Sequence, residues 1–199
     1  MTDQKIDGGK RTWIIASGCA GAVGAGFLAV PFVRSFEPSE RARAAGAPVE
    51  VDISGIKPGE KLTVEWRGKP VWIVRRTSEQ LAELPKLDTE LADPMSERTA
   101  FSTTPEFARN DWRSIKKEYL VVVGICSHLG CSPGDKFNPG PQPSLPNEWQ
   151  GGFLCPCHGS TFDMSGRVFK DKPAPDNLEV PPYQYLSDSR LLIGEEKKA

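Results

Sequence analysis

Apolar residues run without a charge from Trp13 to Val33, give way to a polar stretch, and from Val49 onward alternate with polar ones. The first pattern, "WIIASGCAGAVGAGFLAVPFV", covers 21 residues. As an α-helix it would reach about 31 Å, the thickness of a bilayer's hydrocarbon core. A buried core helix rarely runs that long without a charge, and a cleaved signal peptide has a shorter apolar centre. The pattern therefore predicts a retained transmembrane helix over 13–36. Small residues four apart, Gly18, Ala22 and Gly26, would let a neighbouring helix approach closely. Residues 37–48, "EPSERARAAGAP", read as a flexible tether in which Arg41 to Ala45 could make a turn or two of helix.

Beyond the tether the period becomes two. Val49, Val51 and Ile53 alternate with polar neighbours, as do Leu62, Val64 and Trp66. "RGKP" at 67–70 predicts a turn into the apolar run "VWIV". Thr77 with Gln80 three residues later has the form of a capping box opening a short helix through "SEQLAEL". Residues 85–112 are polar with no sustained period, a surface excursion. "YLVVVGI" at 119–125 predicts a buried strand, and shorter strands are expected near 152–154, 166–169, 178–180, 183–185 and 191–194. The chain from 49 to 199 is thus mostly β, ending in a solvated "EEKK" tail at 195–198.

Composition and charge narrow the class. The chain has Gly 19 and Pro 18 among 199 residues, which favours a loop-rich β domain over a bundle. Lys+Arg 25 against Asp+Glu 26 leaves no basic excess for nucleic acid. Lys10 and Arg11 precede the apolar run, so the positive-inside rule keeps residues 1–12 in the cytoplasm. Everything beyond Arg34 then lies in a bacterial periplasm or an equivalent space, where disulfides persist. "KRTWI" is similar to a twin-arginine export signal with Lys in place of one Arg.

Both histidines and four of the five cysteines fall in two loops, "GICSHLGCSPG" at 124–134 and "FLCPCHGSTFD" at 153–163. The fifth, Cys19, sits in the apolar run and reads as a packing residue. Four readings of the loops compete. Two ordinary disulfides would leave both histidines accidental. Zinc takes four ligands and six are offered. A thiol oxidoreductase wants C-x-x-C at a helix start, which is absent. A [2Fe–2S] cluster uses every residue, with Cys126 and Cys155 on one iron, His128 and His158 on the other, and Cys131 and Cys157 left to clamp the loops. Neutral imidazoles in place of two thiolates make an added electron easier to accept, raising the potential to roughly −150 to +300 mV from about −400 mV. Gly130 and Gly159 would let backbone N–H groups come near sulfur, and the Ser160 hydroxyl could add a donor.

"CSHLGC" and "CPCHGS" resemble the two ligand boxes of Rieske iron–sulfur proteins. The similarity extends to "WRGKPVWIVRRT" upstream and "GRVFKDKPAPDNLEVPPY" downstream. Together with the anchor, the chain over about residues 10–194 looks like the Rieske subunits of bacterial ubiquinol–cytochrome c reductases, the cytochrome bc1 complexes. The fold this resemblance implies is an antiparallel β-sandwich-like base with a cluster-binding subdomain inserted near 120–175, carried on a single N-terminal transmembrane helix. Its ligands fall on Cys126, His128, Cys155 and His158, and its disulfide on Cys131 and Cys157. Ser160 matches the family's donor to a bridging sulfide, "KPAP" at 172–175 the proline-rich loop that covers the cluster, and Leu129 the residue that shields it and meets the quinol pocket. Tyr often stands two residues beyond that serine and donates to a ligand cysteine; here the position is Phe162, which implies a lower potential.

The resemblance further implies a role. The head takes an electron from ubiquinol at cytochrome b, with the proton accepted at His158 beside His128, and swings on its tether to cytochrome c1. It implies a membrane-lipid anchor, a dimeric complex, a periplasmic head on the inner membrane and no nucleic-acid partner. Ferredoxin-type relatives lack the counterparts of Cys131 and Cys157. The closer alternative is the Rieske subunit of another periplasmic oxidoreductase, such as an arsenite-oxidase-like enzyme.

Overall fold

In the computed structural model the apolar run becomes one helix, α1, Gly8–Arg34. The structure describes residues 8–98 and 103–196, so the start of the export-signal segment (1–7) and the end of the charged tail (197–199) lie outside the described residues. Helix α1 begins five residues before Trp13 because nothing in "GGKRT" stops it; Thr12 Oγ1 donates back to Gly8 O at 3.0 Å. No residue of α1 is buried, and its apolar surface faces outward all round. By length and hydropathy the helix can cross a membrane. A second, short helix, α2, Glu40–Ala45, occupies the middle of the polar stretch. Ser39 Oγ accepts from Ala42 N–H at 3.2 Å at its start.

The chain separates into two compact units, residues 1–44 and 45–199. Among the described residues the second holds three antiparallel sheets of three strands each. In the first sheet, β1 (Val49–Asp52) pairs with β9 (Arg190–Ile193), and β9 with β8 (Tyr183–Ser187). Val49 opposite Ile193 ties the two ends of the head together. The second sheet orders β2 (Lys61–Trp66), β3 (Lys69–Arg75) and β4 (Tyr119–Val123). Its hairpin turns on Arg67 and Gly68, at φ +52° and +70°, the two left-handed positions of a tight turn whose twist suits paired strands. In β3 four consecutive residues, Val71 to Val74, are buried, which fits a central strand covered on both faces. Thr77 and Gln80 form the reciprocal capping box of α3, Ser78–Glu83.

The third sheet joins β5 (Gly134–Lys136), β6 (Gly152–Leu154) and β7 (Thr161–Phe162). It presents the chemistry. Strand β4 runs into the first box and β5 leaves it; β6 runs into the second and β7 leaves it. Trp72 of β3 stacks on Phe153 of β6, ring centroids 5.1 Å apart, which joins the second and third sheets. Gly124, at the end of β4, leaves the room this needs: a Cβ there would overlap the Trp72 ring.

Two expected strands are absent. Residues 166–169 supply isolated pairings, Val168 with Phe162 and Phe169 with Leu91. Residues 178–180 spread their backbone bonds over three different segments, through Gly166 O, Val123 N–H and Thr103 O. Neither stretch faces one partner long enough to build a ladder. Within 85–112 the apolar residues Leu87 and Leu91 are buried, so the polar excursion also plugs the core.

Candidate metal centre

The two boxes fold as the same turn. In the first, Cys126 N–H donates to Cys131 O at 2.8 Å and Gly130 N–H to Cys126 O at 3.1 Å. In the second, Cys155 N–H donates to Ser160 O at 2.8 Å and Gly159 N–H to Cys155 O at 3.0 Å. Each pattern needs a left-handed residue at its fifth position, and Gly130 (φ +82°) and Gly159 (φ +75°) supply it. Both glycine N–H groups are engaged by cysteine carbonyls, so these glycines serve the turn. The backbone donor that reaches sulfur is the N–H of His128, onto Cys126.

The turns bring the candidate ligands together. Cys126 and Cys155 are buried free cysteines whose thiols lie within hydrogen-bonding reach of each other. Cys131 and Cys157 are bonded as a disulfide that joins the loops. The sulfurs of Cys131, Cys155 and Cys157 lie within 4.8 Å of one another, but the disulfide leaves only Cys155 of that trio with a thiol for a metal. The rings of His128 and His158 stand side by side, centroids 4.7 Å apart and nearly perpendicular. His158 is exposed and His128 half-buried. Leu129 projects beside them, 71% exposed.

One observation tests whether these residues fit an iron–sulfur group. His128 Nδ1 is buried and has no hydrogen-bond partner among the described residues. An orphaned buried ring nitrogen costs about 1–3 kcal/mol unless something takes its lone pair. A metal would take it, and two buried thiols stand ready alongside. The donor set is thus two soft thiols and two imidazoles, with the other two cysteines withdrawn into a disulfide. It fits a mixed nitrogen–sulfur centre.

Electrostatics at the sulfurs is finely opposed. Burial pushes the Cys126 thiol up, as does neighbouring Cys155, while the His128 N–H and the Ser160 hydroxyl pull it down. Those two donors are the ones a negative sulfur would use. Ser160 is itself fully buried, and its Oγ accepts from Ala174 N–H at 3.0 Å. Ser127, between Cys126 and His128, was not singled out from the sequence. Its Oγ donates to Asp176 O at 2.6 Å and accepts from Asp176 N–H at 3.3 Å. A hydroxyl between two ligands was the only signal that could have marked it. The segment 172–178 is therefore pinned to each box by one serine. A surface crevice of about 500 Å³ between Thr77–Glu83 and Phe137–Pro139 contains no residue of either box.

Comparison with known proteins places this geometry in a family. Residues 88–183 match the Rieske [2Fe-2S] domain, and residues 13–39 match the ubiquinol–cytochrome c reductase Fe–S subunit TAT signal. The chain is 54% identical over 188 residues to the ubiquinol–cytochrome c reductase iron–sulfur subunit of Allochromatium vinosum, covering 94% of this chain and 89% of that one. It is 41% identical to the subunit of the same name from Bradyrhizobium diazoefficiens, over 90% of each chain. It is 40% identical to that of Blastochloris viridis, over 90% of this chain and 89% of the relative. The head thus carries a Rieske [2Fe–2S] domain, and the chain belongs to the family of ubiquinol–cytochrome c reductase iron–sulfur subunits.

Proposed function

We propose that this chain is the electron-transfer subunit of a ubiquinol–cytochrome c reductase, working between ubiquinol at cytochrome b and cytochrome c1 in a dimeric membrane complex. Cys126 and Cys155 would hold one iron of the cluster, and His128 and His158 the other. When bound, the cluster supplies a one-electron acceptor of raised potential, because two of its ligands are neutral imidazoles. The observation that carries the reading is the pair of adjacent imidazoles, His158 exposed and His128 half-buried with an orphaned buried Nδ1.

What the chain's own residues do follows from that placement. With Nδ1 of His128 turned inward, its Nε2 is left for the surface. His158 is exposed, so its outward ring nitrogen is the atom that accepts a hydrogen bond from the quinol hydroxyl and takes its proton. Leu129 beside it offers an apolar contact for the quinone ring and keeps water away. The Cys131–Cys157 disulfide and the serine pins hold the loops rigid during the exchange.

Helix α1 anchors the chain in the inner membrane, with Lys10 and Arg11 on the cytoplasmic side and the head in the periplasm. Residues 37–48 act as the tether on which the head travels between partners. The relatives, iron–sulfur subunits matched over about 90% of this chain, support the quinol branch over an arsenite-oxidase-like one. Inserting prolines into 37–48 tests the mechanism. The expected result is loss of quinol-to-cytochrome c turnover in membranes with the reduced-cluster EPR signal intact. Full turnover with a stiffened tether would contradict it.

A further inference from the structure

The two serine pins hold one side of the segment 172–178; its other side is held from a distance. Asn177 and Leu178 are buried. Asn177 Oδ1 accepts from Val168 N–H at 2.8 Å, and Nδ2 donates to Asp93 O at 2.8 Å and to Ser96 Oγ at 2.9 Å. Leu178 N–H donates to Gly166 O at 2.8 Å. Its carbonyl accepts from Arg113 Nη2 at 2.7 Å.

Arg113 is fully buried and bonds to neither box. Its Nε donates to Ser96 Oγ at 2.7 Å, and Nη1 to Ser165 O at 3.0 Å and Gly166 O at 3.2 Å. Nη2 also reaches Thr104 Oγ1 at 2.9 Å. Every one of these acceptors is neutral. A buried cation is tolerated only when its donors are all satisfied, and a planar fork meets five oxygens in fixed directions where an ammonium cannot. Arg113 (φ +47°) and Ser96 (φ +56°) both have left-handed backbones. Such conformations persist in non-glycine residues where the surroundings over-determine them. Four separate segments, around 96, 104, 165 and 178, meet on this one side chain.

We propose that Arg113 is a positioning residue for the metal centre: its fork fixes Leu178 and, through Ser96, Asn177, and so sets the reach of Ala174 N–H to Ser160 Oγ. The inference rests on the ligand reading above. With its oxygen engaged by Ala174, the Ser160 hydroxyl has its proton free to donate, and Ser160 is held in the second box by the bond from Cys155 N–H to its carbonyl. A donor to sulfur favours the state with the extra electron. Slackening 172–178 frees the hydroxyl to turn, and the potential falls.

Arg113→Lys keeps the charge and loses the fork. In the full chain within its complex, redox titration should show the equilibrium constant for reduction falling threefold to tenfold, tenfold being about 59 mV for one electron. Hydrogen exchange at the Ala174 and Asp176 amides should quicken. In a Ser160→Ala background the same substitution should move the potential no further, because the route ends at that hydroxyl. Ser96→Ala cuts the same path more gently, serves if Arg113→Lys does not assemble, and should likewise lower the potential in the wild-type background but not in the Ser160→Ala one. An unchanged potential in the loaded variant, or full additivity with Ser160→Ala, overturns the proposal. A wild-type chain without nitrogen-ligated iron would sink the ligand reading instead, and the exchange rate at Ala174 would then decide whether Arg113 positions the segment.

Discussion

Replacing Phe162 by tyrosine adds one hydroxyl at a place where it has only two fates. Phe162 is fully buried in β7, opposite Phe153 and bridged to Val168. If the new hydroxyl reaches a ligand sulfur, as the resemblance to tyrosine-bearing relatives implies, it donates to an atom that becomes more negative on reduction. A bond that strengthens by about 1.4 kcal/mol between the two redox states is a tenfold change, or about 59 mV for one electron. Hydrogen bonds to charged groups span about 1.5–3 kcal/mol, so Phe162→Tyr is expected to raise the midpoint potential by about 60 mV or more at little cost in stability. If the hydroxyl reaches nothing, a buried donor is left unsatisfied at a cost of about 1–3 kcal/mol. EPR-monitored redox titration of membranes, paired with thermal unfolding of the purified complex, separates the two. An unshifted potential with a lowered melting temperature would refute the reasoning.

Three further outcomes follow. The Cys131–Cys157 disulfide spans a sequence separation of 26, for which chain entropy gives about 3.5 kcal/mol; Cys131→Ser with Cys157→Ser should lower the chain's denaturant midpoint accordingly, and an unchanged midpoint would contradict the clamp. Gly124→Ala forces a methyl into the Trp72 ring and should destabilise the head by about 1–3 kcal/mol in unfolding titrations; a neutral result would mean that the Trp72–Phe153 stack yields freely. Burial pushes Tyr183 up to about 12, opposed by the bond from Ile115 N–H. An unfolded tyrosine loses its proton near pH 10, so between about pH 10 and 12 the folded chain binds more protons and stability falls as pH rises, by about 2–3 kcal/mol for this group. Tyr185, also raised by burial, adds to the slope; Tyr183→Phe with Tyr185→Phe should flatten it in alkaline denaturation.

Val49–Asp52 and Lys61–Trp66 were legible because alternation marks strands with one face more buried than the other, and Tyr119–Val123 because an unbroken apolar run is buried on both faces. The capping box of Thr77 and Gln80 was legible because its geometry is local. Strand β5, Gly134–Lys136, was not, since its residues carry no alternation and it forms only because β6 lies beside it. The disulfide was legible because the [2Fe–2S] reading leaves one spare cysteine in each box, and the resemblance implies the same pair. The roles of Ser127, Asn177 and Arg113 were hidden for another reason. Arg113 bonds to Ser165 and Leu178, 52 and 65 residues away, and no local pattern announces contacts of that range. Nor does a polar stretch such as 85–112 reveal that Leu87 and Leu91 turn inward, because two apolar residues four apart make no period.

The account rests on imidazole nitrogen bound to iron at His128 and His158. Pulsed EPR of the dithionite-reduced chain, grown with ¹⁵N-histidine in unlabelled protein, tests this most directly. Two strongly coupled ¹⁵N nuclei are predicted, and each should vanish with its own histidine's substitution. A reduced cluster whose spectrum carries no histidine nitrogen coupling would contradict the account.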